Sequence, residues 1–444
     1  MRLIAQLEDI LNRVQASPPK EELKLKAWRV LIHESKAISL GLKDNIPGGV
    51  YTPPSYRQGE SGEVFLVWAD DLCSQARVQL PPQATQTFWL EKLEEWRQAA
   101  YNDPDAICIP TPEPLPVVAL EDRKIQKILA GDDKILFNQL ERMLDEKPEG
   151  AKVQGSVQAA WGYRHVRNSN GLAVTHQESQ YAISYSFDSL VGTGFAKRRL
   201  IEENEWDFLW QRTVGYYEAL KTSASDIRDN TLRDNTLVVL APSVVDEMLG
   251  QFIVPNFWGQ SILEGQSAYT QDKFSSNQKV FAEGSSLYID PLRPFEWGSY
   301  MLTQEGIPAQ HTVLVNNGEL ITPILRVKDA RRWGGKPTAI PQGTSGLYLV
   351  NKDETEWDSL LKEVEDAVLV LSVLGLHTQN SVTGNYSMSA PQSLRVENGR
   401  ITGKIDVKIS GNFFRDLASD TTRYAKTKVA SKPYLVLKTT VQKL

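Results

Sequence analysis

A chain of 444 residues is too long for one ordinary core, and roughly 150 residues per domain predicts two or three domains. A hydrophobic fraction of 41%, with 23% charged residues and 11 tryptophans, is that of a soluble globular protein with large apolar cores. The net charge of −6 gives no general attraction to phosphate backbones, which argues against nucleic acid as a direct partner.

The first stretch, "MRLIAQLEDILNRVQ", carries Leu3, Leu7, Ile10, Leu11 and Val14 at helical spacing, interrupted by Glu8 and Asp9. It predicts an amphipathic docking helix rather than the uncharged apolar core of a signal peptide. "WRVLIHESKAISLGLKDN" and "GEVFLVWADD" are β-type runs, and "TFWLEKLEEWRQAAY" is a helix with Trp89, Leu93, Trp96 and Ala100 on one face. Pro110, Pro112, Pro114 and Pro116 then alternate, a stiff extended connector that closes an N-terminal α/β region, 1–109.

A middle α/β region, 110–227, opens with a helical pair from about Ala119 to Asp145, broken at Gly131. It continues into strands such as "SQYAISYSF", where Tyr181, Ile183, Tyr185 and Phe187 share a face, and closes with the helix "NEWDFLWQRTVGYYEALK". The tandem "RDNTLRDNTL" at 228–237 is a local slip in a surface connection, since two copies make no solenoid.

The last region, 228–444, is strand-dominated. "LVVLAPSVVDEMLGQFIVPNFWGQS" is a strand turning into a short helix. Asn317-Gly318 and Asn398-Gly399 sit between β-branched runs, and Asn-Gly is a strong hairpin signal because both residues tolerate positive φ. "EWDSLLKEVEDA" is a helix with Trp357, Leu360, Leu361 and Val364 on its buried face. The fold class expected is α+β: N-terminal α/β regions followed by a large C-terminal β-rich domain.

The longest apolar run, Ala367 to Leu376, is far short of the roughly 20 residues of a membrane span. Cys73 and Cys108 form one disulfide at most, which fits a reducing compartment, and the expected location is the cytoplasm.

Chemistry-bearing patterns are sparse. Of the five histidines, His33 is followed by Glu34, but Ala37 stands where a short zinc motif needs its second histidine. His165 and His176 flank a turn, His311 opens a strand and His377 a loop, with no metal-ligand spacing. Ser345 in "GTSGL" lacks the glycine spacing of a hydrolase elbow. Cys73 follows Asp70-Asp71, which raises a thiol pKa. "VGTGFAKRR" and "RRWGGKPT" lack phosphate-loop spacing. Asp246 and Glu247 are neighbours, so they point to different faces of a helix and make no shared acid-base pair. No catalytic residue and no metal ligand is assigned.

The order of "LVVLAPSVV", "GQSIL", Asp290-Pro291, "EGIPAQHTVLVNNGEL", "GLHTQNSVTGNYSMSAPQSLRVENGRI" and "ISGNFFRDL" resembles the TldD/PmbA family, also called modulators of DNA gyrase. The likeness runs from about residue 237 to the C-terminus, more weakly from Val153 to Arg199. In that family the TldD branch is a zinc metallopeptidase with a helical H-E-x-x-x-H and a cysteine ligand near the C-terminus. The TldE (PmbA) branch shares the fold and lacks the motif.

Counted from the shared "VVLAP" strand, the first histidine falls on Gly250, the glutamate on Gln251 and the second histidine on Pro255. None can ligate zinc or take a proton from bound water, and Pro255 is expected to break the helix. Both cysteines precede residue 109. "TGNYS", with Gly384, Asn385, Tyr386 and Ser387, resembles the G-D-F-S loop of the TldE branch and is the candidate groove, while "QEG" at Gln304 to Gly306 departs from the family's D-E-G.

The resemblance implies a pseudo-enzyme subunit that holds no zinc itself, pairs with a zinc-bearing TldD-type protease subunit and processes unfolded peptides. A homodimer mimicking that heteromer is compatible with the shared fold. The alternative is a stand-alone hydrolase with an unrecognised site, built from His311, His377, Glu305 and Asp290 if they converge in space.

Overall fold

In a computed structural model the chain is described over residues 2–81, 85–222, 232 and 236–444. The duplicated "RDNTLRDNTL" lies almost wholly outside the described residues. Among the described residues, two eight-stranded sheets and a smaller four-stranded one organise the chain, a mixed α/β architecture as expected.

The N-terminal sheet is antiparallel, with Tyr101–Asn102, Leu72–Gln79, Ser55–Trp68, Leu25–Lys43, Val153–Asn168, Ala173–Phe187 and Val191–Lys197 in that spatial order. The short Ile46–Pro47 folds back on the end of Leu25–Lys43. Leu25–Lys43 is central and pairs from Arg29 opposite Asn168 to Leu42 opposite Gly155. Strands from both sides of the proline-rich connector therefore share one sheet.

The centre of that sheet depends on two glycines. A Cβ on Gly62 would stand 1.9 Å from the Leu31 carbonyl oxygen, and one on Gly162 would stand 1.8 Å from that of Glu34. Only residues without a side chain permit these approaches from the two flanking strands.

Alternation along the strands gives the sheet two unlike faces. Trp28, Val30 and Ile32 lie under the helices Leu3–Ala16 and Gln86–Gln98. Ile38, Leu40 and Leu42 lie under Arg123–Leu129 and Lys134–Asp145. The same face, through Tyr185 and Phe187, meets Trp206, Trp210 and Tyr217 of the helix Glu203–Lys221. That helix is a shared layer, because its other side joins the core formed by Leu394 and Val396 of the C-terminal sheet.

The C-terminal sheet runs Thr355–Glu356, Arg423–Lys426, Tyr434–Leu437, Leu237–Leu240, Asp366–Val370, Asn385–Glu397, Arg400–Asn412, Thr440–Lys443. Leu237–Leu240 and Asp366–Val370 are parallel. Val239 joins one core while Val238 and Leu240 join the other, which explains their unbroken apolar runs. On the far side stands the sheet of Glu319–Leu320, Thr312–Asn316, Ser285–Ile289 and Leu347–Asn351.

Both Asn-Gly pairs form hairpin turns with positive φ, 49° and 87° at Asn317-Gly318 and 48° and 74° at Asn398-Gly399. The helix expected over "EWDSLLKEVEDA" is shorter, Trp357–Glu363. Asp366 onward belongs to a central strand, whose ladder and two-sided burial outweigh weak helical periodicity.

Candidate functional site

The strand Leu237–Leu240 leads directly into a helix, Pro242–Met248, with proline at its first turn, where a missing N–H costs nothing. Helical backbone then continues through a π-turn, Leu249–Ile253, and a last turn, Val254–Phe257. Pro255 was expected to break this helix and does not. The Val254 N–H reaches back five residues to the Leu249 carbonyl, so the turn is already widened and Pro255 sits at the start of the next one.

Gly250, Gln251 and Pro255 are half-buried on this segment. A Cβ on Gly250 would meet the Thr344 methyl at 3.4 Å. The Gln251 amide donates to the Gln379 carbonyl at 2.9 Å, and Pro255 has no polar side-chain atom. No imidazole, thiolate or carboxylate stands at these three positions, so they do not fit a zinc ion. Asp246, one turn earlier, is paired with the buried Lys432 at 3.2 Å and accepts from the Thr344 hydroxyl at 2.9 Å. It is therefore an anchored carboxylate rather than part of a solvated face. Glu247 is exposed, and desolvation, with Asp246 beside it, raises its pKa.

The segment around Gly384 is tied to this helix. Asn256, fully buried, donates to the carbonyls of Phe252 at 2.7 Å and Ser381 at 2.9 Å, and its oxygen accepts from Ala268 N–H at 2.6 Å. Gln379 accepts from Ser387 N–H at 3.2 Å. Gly384 has φ +71°, and a Cβ there would strike the Phe414 ring at 2.5 Å. Asn385 accepts from Asn412 at 2.8 Å. Tyr386 points into the core and donates to Asp416 at 2.8 Å. Burial lifts Asp416 to about 6, against the opposing hydrogen bond.

The other face of the N-terminal sheet lines a cleft of about 870 Å³ against the C-terminal half, the size of a ligand pocket. Arg29, His33, Arg164 and Glu178 form its floor, and Tyr300, Glu305, Arg326 and Lys328 its opposite wall. Trp258 and Gln260, just past the π-interrupted helix, also line it, as do Gln342 and Gly343 beside Thr344. The helix and the cleft are thus neighbours.

Charges in the cleft are mostly matched. Glu178 stands 3.3 Å from Arg198 and 3.5 Å from His33. Burial alone would raise its pKa, but the His33 hydrogen bond and the Arg198 and Arg164 charges hold it down to about 2. Arg198, 1% exposed, also donates to the Ser299 carbonyl at 2.8 and 3.0 Å. Lys328 pairs with Asp103 at 2.7 Å, and Arg29 lies 3.8 Å from Glu305.

Sequence reasoning passed over Arg164, Glu178 and Arg198. The available signal was the strand Ala173–Phe187, where His176, Glu178 and Gln180 alternate with the core-facing Tyr181, Ile183 and Tyr185. Its polar side faces a cleft instead of open solvent.

Of the four residues of the alternative hydrolase, Asp290 and His311 share the neighbourhood of Tyr288 and Arg293, while Glu305 and His377 have other partners. His311 lies against Tyr288, with ring centroids 4.9 Å apart, and His377 is in a short turn, Leu376–Thr378. Glu305 accepts from Val327 N–H at 2.9 Å, and Asp290 pairs with Arg293 at 3.3 Å. Among the described residues no group of three or more His, Cys, Asp or Glu is placed to hold a metal. Cys73 is buried and Cys108 exposed, both free. Burial, then Asp103 and Asp71, push the Cys73 thiol up to about 11. No helix among the described residues is long and apolar enough to cross a membrane.

Residues 233–438, which hold the π-interrupted helix and the mixed sheet beside the polar cleft, match the PmbA/TldA metallopeptidase C-terminal domain. An uncharacterized protein of Methanocaldococcus jannaschii is 25% identical over 65% of this chain and 69% of its own length. A metalloprotease of Synechocystis is 25% identical over 40% of this chain, an alignment that spans 41% of that protein.

Among solved structures, TldE from Thermococcus kodakarensis superimposes with a TM-score of 0.78 at 18% identity, covering 98% of this chain and 99% of that one. A proposed modulator of DNA gyrase from Thermotoga maritima gives 0.75 at 18% identity, covering 98% and 100%. At such identities the likeness is one of fold over nearly the whole length.

Proposed function

We propose that this chain is a non-catalytic subunit of the TldE kind, which pairs with a TldD-type zinc protease and helps hold unfolded peptide for cleavage at the partner's metal. The observation that carries this reading is the π-turn. Residues five apart on an α-helix point roughly 140° from each other, whereas i and i+5 come onto one side where the turn is widened. The backbone at Leu249–Ile253 therefore suits a pair of ligands at positions 250 and 255, yet Gly250 and Pro255 stand there. The scaffold of a metal helix without its donors is what a pseudo-enzyme subunit requires.

The test is zinc content together with cleavage of an unfolded protein such as casein, for the chain alone and mixed with a TldD-type partner. The expected outcome is no stoichiometric zinc and no cleavage alone, with the mixture exceeding the partner by itself. Stoichiometric zinc with cleavage by the chain alone would overturn it.

A further inference from the structure

Arg164 breaks the charge matching of the cleft. It is 6% exposed and lines the cavity, yet its side chain makes no hydrogen bond or contact ion pair among the described residues, and its Nε is a buried donor without an acceptor. Arginine does not shed its proton in a protein, and a buried guanidinium whose nearest carboxylate bonds two other groups, and whose own donor is unfilled, is unfavourable unless a further acceptor arrives.

The nearby carboxylates are committed elsewhere. Glu178 bonds Arg198 and His33 and reaches Arg164 through its charge alone, Asp103 serves Lys328, and Glu305 serves Arg29 and the Val327 N–H. Glu63 accepts from Gln75 at 3.3 Å.

Two further donors lie near Arg164, of which Tyr300 lines the cavity. His176 is its cross-strand neighbour on the same face, and neither ring nitrogen has a partner. Desolvation, with the arginine charges, keeps that ring neutral at physiological pH, with one N–H to give. Tyr300, across the cleft, accepts from Ile340 N–H at 2.8 Å, and its own proton has no acceptor among the described residues.

We infer that Arg164 and Tyr300 form a carboxylate-binding site at the cleft floor. An arginine fork fits a carboxylate with two parallel hydrogen bonds. A peptide offers that group either at its C-terminus or on an Asp or Glu side chain. This deepens the peptide-holding reading above by naming what is held, and it concerns the isolated chain, so it stands or falls separately from pairing with a protease.

Titration calorimetry with three N-acetylated pentapeptides tests it. One has uncharged side chains and a free C-terminal carboxylate, one has uncharged side chains and an amidated C-terminus, and one is amidated with a single internal glutamate. At least one acidic peptide is expected to bind about tenfold or more tighter than the neutral amide, and which one does so identifies the source. Arg164→Gln should abolish the discrimination, and Tyr300→Phe should reduce it about fivefold.

Should Arg164→Gln fail to fold, Arg164→Lys keeps the charge, loses the fork and should still weaken the preference. Equal binding of all three peptides, no binding of either acidic one, or undiminished discrimination in the folded Arg164 variants would each overturn the proposal. If discrimination holds while the mixture with a TldD-type partner shows no added cleavage, the anion site survives and the subunit reading fails.

Discussion

Glu178 and Asp416 illustrate opposite responses of a buried carboxyl. Glu178 is held near 2, below its ordinary 4.5, so its stabilisation is complete above pH 4.5 and is lost as pH falls toward 2. Glu178→Gln removes the counter-charge of Arg198 and is expected to cost about 3 kcal/mol at pH 7 by denaturant titration. Asp416 is lifted to about 6 from 3.8, so its stabilisation is present below pH 3.8 and is lost as pH rises through 6. Asp416→Asn should therefore be more stable than the parent at pH 7.5, by up to about 2 kcal/mol, with the difference vanishing by pH 4. Neither role was legible in the sequence. Tyr386 was quoted there for its loop, but a hydrogen bond to a residue thirty positions away depends on a strand pairing that no local pattern reveals.

The elements that could be read from the sequence are those whose signal is local. The helix Leu3–Ala16 was announced by its apolar spacing and buries Leu3, Leu7, Ile10, Leu11 and Val14 as expected. The Asn-Gly hairpins were announced by turn chemistry. The π-turn was not: Phe252 packs on Phe413 and Asn256 bonds the Ser381 carbonyl, contacts with distant residues that no local pattern announces. Asn256 is the test of these contacts. Asn256→Ala leaves the Phe252 and Ser381 carbonyls and the Ala268 N–H without their partner, which should cost about 3 kcal/mol. Limited proteolysis should then show faster cutting in the 376–384 segment than in the parent.

For the whole molecule, the sequence suggested three consecutive regions, whereas the N-terminal sheet is assembled from both sides of the proline connector. Residues 111–114 are exposed, so a recognition site for a sequence-specific protease inserted between Glu113 and Pro114 should be cut while the chain stays folded. The two pieces are expected to co-elute in native buffer and to separate only in denaturant. Separation without denaturant would mean that the pairing of Leu25–Lys43 with Val153–Asn168 does not hold the halves together. That pairing also sets a schedule during synthesis. Residue 43 leaves the ribosome on the order of ten seconds before residue 153 is made, and throughout that interval the central strand of the sheet has one edge without its partner. Glu34, Ser35 and Lys36 interrupt its middle, and a charged, polar break in an otherwise apolar strand discourages other nascent chains from adding to an open edge.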